Sequence, residues 1–245
     1  MAVLSKKALP HMQQPEDSRD TPAPPERKRL RLLVILFITG ACGWLVMEME
    51  IIAGRMLTPP FGSDVYVTWG SVIGVFLLCL AIGYALGGWL SEKQGNNLIL
   101  GINLAVAGLW LCMTPAVDGP VSYWLRDHVE DWLRANPDEP SPVALGLAAL
   151  LASLALFAVP LVALGTVSPT AVRWLTQDAR ESGLRAGMVL AFSTAASFVG
   201  CLVTAWYLVL LDTPSTVRWS GGALAALGAA IAAHALWQRR RAAPQ

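Results

Sequence analysis

Glu48, Glu50 and Arg55 are the only charges in the apolar run LLVILFITGACGWLVMEMEIIAGRML, residues 32–57. A charge in hydrocarbon is costly, so ionisable groups in such a run mark either a functional site or a structural ion pair. A carboxylate placed there could hold a cation or an amine, or carry a proton. Residues seven apart on a helix share a face, so Glu48 and Arg55 do, whereas Glu50 points well away from Glu48. The trio therefore cannot form one simple cluster on a straight helix. Glu48 stands about 24 Å along the run from Leu32, in its last third, at 1.5 Å per residue. Two readings follow: an ion pair that fixes the turn TPPFGSD, or a cation site with Glu48 or Glu50 as its carboxylate.

The elements that must carry these residues are apolar. The chain of 245 residues is 55% hydrophobic and 14% charged, with mean hydropathy +0.51. Soluble domains carry about 25% charge. Six segments are long enough to cross a hydrocarbon core of about 30 Å as helices: residues 32–57, 67–90, 97–115, 143–166, 187–210 and 218–237. The expected fold class is an all-α integral membrane protein of six transmembrane helices in one membrane domain, 32–237. Residues 1–31, polar and Pro-rich, read as a disordered tail, and 238–245 as a short basic tail. Arg27, Lys28, Arg29 and Arg31 precede the first span, Lys93 follows the second, Arg173, Arg180 and Arg185 follow the fourth, and Arg239, Arg240 and Arg241 follow the sixth. The other connections contribute only Arg126, Arg134 and Arg218. This alternation predicts both termini in the cytoplasm.

Residues 120–135, PVSYWLRDHVEDWLRA, read as a separate extracytoplasmic amphipathic helix at the interface. Val121, Trp124, Leu125, Val129, Trp132 and Leu133 would form its apolar face, and His128 would lie at its edge. Gly70 and Gly74, and again Gly83 and Gly87, are four apart, the spacing that lets helix backbones approach. Gly200 belongs to a second small-residue stripe with Ser193, Thr194, Ala196 and Ser197. Pro160 kinks or ends the fourth span, and Pro169 suits the first turn of a short helix after it. The four cysteines, Cys42, Cys79, Cys112 and Cys201, lie in apolar segments without metal-ligand spacing and read as packing residues. No paired His/Asp set, nucleophile motif or cofactor loop appears, so no catalytic residue, cofactor or metal is expected, and a net charge of +1 gives no case for nucleic acid.

The stretch EIIAGRMLTPPFGSDVYVTWGSVIGVFLLCLAIGYALGGWLSEK, residues 50–93, resembles the membrane half of the bacterial fused transporter–spermidine synthase proteins. GTVSPTAVRWL and FSTAASFVGCLVTAWYLVLLDT are similar to later blocks of that family, so the resemblance covers most of residues 38–215. It implies a bundle like half of a major facilitator carrier, in the bacterial inner membrane. It also raises Glu50 and Arg55 above Glu48, which has no counterpart in the family pattern. Gly88, Glu92 and Lys93 are similar to the cytoplasmic signature loop of those carriers. This chain has no strand–Gly-rich-loop–helix stretch for the synthase half, so aminopropyl transfer is not expected of it. The implied roles are a membrane subunit for a separate spermidine-synthase-like protein, handling a polyamine, or a small transporter acting as a homodimer. A structural or assembly protein without a substrate is the contrasting reading, since spans two to six lack central charges.

Overall fold

A computed structural model describes residues 25–62, 65–94, 97–133, 141–176 and 182–242. Seven α-helices account for nearly all of them. They are α1 (Pro25–Phe61), α2 (Gly70–Gln94), α3 (Asn97–Leu133), α4 (Pro142–Gly165), α5 (Val167–Leu175), α6 (Ser182–Trp206) and α7 (Thr213–Ala242). Six helical stretches are long and apolar enough to cross a membrane. The chain is thus an all-α helical bundle of the multi-pass membrane class. Each expected span falls inside one of these stretches.

Local chemistry explains several element ends. Ser141 caps α4, its hydroxyl facing the Ala144 amide at 3.5 Å, and Pro142 occupies the first turn, where no N–H is needed. Pro59 and Pro60 close the last turn of α1, and Gly62 follows at φ +84°, the left-handed conformation that favours glycine after a helix. Thr68 then donates to the Gly62 carbonyl at 2.8 Å, within a π-helical turn, Val65–Trp69, that leads into α2. Pro169 does stand in the first turn of a short helix, α5, after a break at Thr166. Pro160 stays inside α4, buried, and does not end it.

Three expectations about boundaries are corrected. Residues 120–133 are not a separate interfacial helix but the continuation of α3, which runs unbroken through Pro115 and Pro120. Each proline removes one backbone donor, and hydroxyls nearby bond back within the helix: Thr114 to the Trp110 carbonyl, Ser122 to the Asp118 carboxylate. Leu125 and Val129 pack against the main core, whereas Trp124 and Trp132 are exposed. Hence the extension is held by the bundle on one side; residues 134 and 135 lie outside the described residues. Gly88, Glu92 and Lys93 are helical, in the last two turns of α2, and not in a loop. Residues 25–31 and 238–242 likewise belong to α1 and α7 and not to tails, while 1–24 and 243–245 lie outside the described residues.

The core centres on α4. Ala144, Ala148, Ala149, Ala152, Leu156, Phe157 and Leu161 are buried there, and α2, α3 and α1 surround them. The pairing is systematic. Gly43 and Trp44 of α1 lie against Ser193, Ser197 and Gly200 of α6, so those helices run parallel. Gly83 and Gly87 of α2 lie against Val162, Gly165 and Thr166 at the end of α4, and these also run parallel. Gly101 and Gly108 of α3 meet Gly228 and Gly221 of α7, antiparallel. Exchanging α1 with α4, α2 with α6 and α3 with α7 converts the first pairing into the second and leaves the third unchanged. That is the pattern of an inverted three-plus-three repeat. One pairing breaks it: α3 packs extensively on α4, but its counterpart, α7 on α1, is almost absent.

The glycine expectations divide. A methyl on Gly83 would sit 2.5 Å from the Val162 carbonyl oxygen, and one on Gly87 would sit 2.7 Å from Thr166. One on Gly200 would sit 3.0 Å from the Trp44 backbone. These three are packing glycines. Gly70 and Gly74 are not: they face open space, because the face of α2 that carries them is the one turned away from α4.

Candidate binding groove

The gap left where α7 fails to pack on α1 is a groove of about 850 Å³. Glu48, Trp44, Ala41 and Phe37 reach it from one face of α1, at the four- and three-residue steps that share a helix face. Ser220, Ala223 and Leu227 reach it from α7 at the same steps, and Phe192 and Ala196 of α6 form its floor. Among the described residues, Glu48 is the sole ionisable one in the lining.

Glu48 is 2% exposed. Its Oε2 accepts a hydrogen bond from the Trp44 indole Nε1 at 2.9 Å, and its Oε1 accepts one from the Ser220 hydroxyl. A buried polar group needs such partners, and here one comes from its own helix and one from across the groove. Trp44 is itself placed by α6. Gly200 lets the two backbones approach at Trp44, and Ser197 donates to the Gly43 carbonyl at 2.9 Å just beside it. The absent side chain at Gly200 therefore positions the indole that orients the carboxylate.

Glu50 is only half-buried and lies off this groove; among the described residues no hydrogen bond or ion pair joins it to another side chain. Arg55 is exposed and borders a second, smaller cavity of about 260 Å³ with Met56, Pro115, Asp118, Thr213 and Pro214. Asp212 lies close enough for its carboxyl to respond to Arg55. The Ser215 hydroxyl and amide, then Arg218 and Arg55, hold that carboxyl below the usual carboxylate range. Glu48 and Arg55 do share a face of α1, as the seven-residue spacing predicts, since both turn toward α7, near Ser220 and Thr213 respectively. The expected ion pair among the trio does not form among the described residues. Of the two glutamates it is Glu48, and not Glu50, that lines the groove.

Sequence reasoning did not single out Trp44, Ser220, Asp118, Asp212 or the α3–α7 glycines. A signal for the last was present, since Gly101 and Gly108, like Gly221 and Gly228, are seven apart. Nothing local marks Ser220, whose role comes from α7 crossing beside Glu48. The four cysteines are free thiols, Cys42 and Cys79 buried, and among the described residues no three His, Cys, Asp or Glu side chains gather as a metal site. His128, on the α3 extension, sets its Nδ1 2.8 Å from the Trp124 carbonyl, its ring tilted against that indole, and does not line the groove. Comparison of the chain with protein-family models, with curated proteins and with solved structures found no match.

Proposed function

We propose that the chain is a bacterial inner-membrane protein, with both termini cytoplasmic, that binds an organic amine and moves it, using Glu48 as the counter-charge. The observation that carries this reading is one buried carboxylate in an otherwise apolar cavity that opens between transmembrane helices. An intramembrane acid facing a cavity is costly, and a cationic ligand compensates that cost. The exchange pattern of the helices supports a role as one half of an alternating-access carrier, completed by a second copy or a partner. The resemblance to the membrane half of fused transporter–spermidine synthase proteins supports an amine as cargo and a separate synthase-like protein as a partner. The arginines at the ends of the first, fourth and sixth spans support the orientation.

The test is uptake of a panel of radiolabelled organic amines into proteoliposomes containing the purified protein. Uptake should be saturable and should fall at least about tenfold in Glu48→Gln, the loss expected for one charge-assisted hydrogen bond. Uptake unchanged by that substitution removes Glu48 from the mechanism. Retention of a synthase-like protein on the purified chain tests the partner separately.

A further inference from the structure

Resting on the amine-binding reading, we infer that the ligand of the α1–α7 groove is an amphiphilic monoamine, one charged head on an apolar tail, that enters sideways from the bilayer. Among the described residues, the lining carries a single acidic side chain, Glu48, at one end. From Glu48 the groove extends along α1 to Phe37, about 16 Å away at 1.5 Å per residue. Everything between is aromatic, aliphatic or alanine apart from Gly40 and the Ser220 hydroxyl. One ammonium fits this arrangement. It takes Oε1 of Glu48 in place of the Ser220 hydroxyl, while the Trp44 indole N–H keeps Oε2. An apolar tail then lies against Leu227 and Phe37.

The rim fixes the route. Phe37 is 67% exposed and Trp219 80% exposed, on the two helices that flank the opening. In membrane-spanning helices such side chains face lipid, so the mouth of the groove is lateral. A linear polyamine does not fit. Its further ammonium groups would lie along the apolar lining with no counter-charge, each costing several kcal/mol of desolvation.

The experiment uses the whole chain in phosphatidylcholine nanodiscs and brominated dodecylamine, whose bromine quenches nearby tryptophan. Brominated dodecanol and spermidine serve as comparison ligands. Saturable quenching by the amine is expected, at least about tenfold weaker in Glu48→Gln. It should also be abolished in Ala223→Phe, which fills the groove from α7 and adds no tryptophan to the signal. The alcohol should quench without saturation, and spermidine should not compete. Competition by spermidine that is lost in Glu48→Gln overturns the monoamine assignment and leaves the amine-binding reading standing. Amine quenching indifferent to both substitutions, with no Glu48-dependent spermidine binding, overturns both. A disulfide formed between the Trp219→Cys residues of two copies, blocking the amine, would instead assign the groove to a second copy of the chain.

Discussion

Helix α7 has two faces, and they are built on opposite rules. Toward α3 it presents Gly221 and Gly228, which meet Gly108 and Gly101 so closely that a methyl on Gly101 would stand 2.5 Å from the Ala232 nitrogen. Toward α1 it presents Trp219, Ser220, Ala223 and Leu227 across an open groove. Lipid tails are as apolar as leucine, so helices in a membrane associate through close packing and hydrogen bonds, not hydrophobic exclusion. The α3 face uses the first device, glycine against glycine, with a thiol contact just beyond them, Cys112 to the Arg218 carbonyl at 3.5 Å. The α1 face forgoes packing and relies on one hydrogen bond, Ser220 to Glu48. A tightly zipped face gives α7 a fixed position; the loose face leaves room for a ligand.

The sharpest way to break this contrast is to crowd the closed face. Gly108→Leu should cost more than about 3 kcal/mol, because the obstacles are the Gly221 carbonyl and the Ala225 backbone and cannot rotate away. Monodispersity on size exclusion and the thermal midpoint in detergent would report it, and a variant as stable as the parent would refute the close contact. Next, on the open face, Glu48→Ala should cost about 1–3 kcal/mol by orphaning the Trp44 and Ser220 donors. Glu48→Gln should cost about half as much, since its carbonyl still accepts one of them. The same thermal melts separate the two; equal losses would mean that hydrogen bonding is not what the residue supplies. A third change checks the glycines that pack on nothing. Gly74→Ala should stabilise α2 by about 0.5–1 kcal/mol through reduced backbone entropy, whereas Gly83→Ala should destabilise.

The smallest effect concerns the start of α7. Asp212 caps it, its Oδ2 accepting from the Ser215 amide at 3.1 Å and the Ser215 hydroxyl at 2.6 Å. Its carboxyl sits below the ordinary value in the folded chain. That contribution to stability is therefore complete above about pH 4 and is lost as the pH falls through the lower folded value. Asp212→Ala should melt slightly earlier than the parent at pH 7, and the difference should vanish in strong acid. A difference that persisted there would assign the effect to something other than the charged cap.

Particular residues show where reading the chain succeeds. All six spans were legible, because twenty consecutive apolar residues admit few alternatives. Gly83, Gly87 and Gly200 were legible as packing positions, but so, falsely, were Gly70 and Gly74. The spacing is the same, and only the neighbour on that face differs. The third span was expected to end near residue 115, with a separate helix after it, yet α3 continues, since Leu125 and Val129 find core partners beyond that point. Glu48 and Glu50 were distinguishable by face but not by role. Local sequence cannot say that α7 runs beside one face and leaves the other unpartnered.

The sequence by itself determined the class of the fold, the number of spans and the fact that one of them bears a costly acid. Those follow from hydrophobic length and from the energetic penalty of charge in hydrocarbon, both local properties. Tertiary structure alone decided that α3 and α7 zip together while α1 and α7 stand apart. It thereby decided that Glu48, and not Glu50, borders a cavity. The physical reason is that a groove is the absence of a contact between helices far apart in the chain, and no single helix encodes what its neighbours leave unfilled.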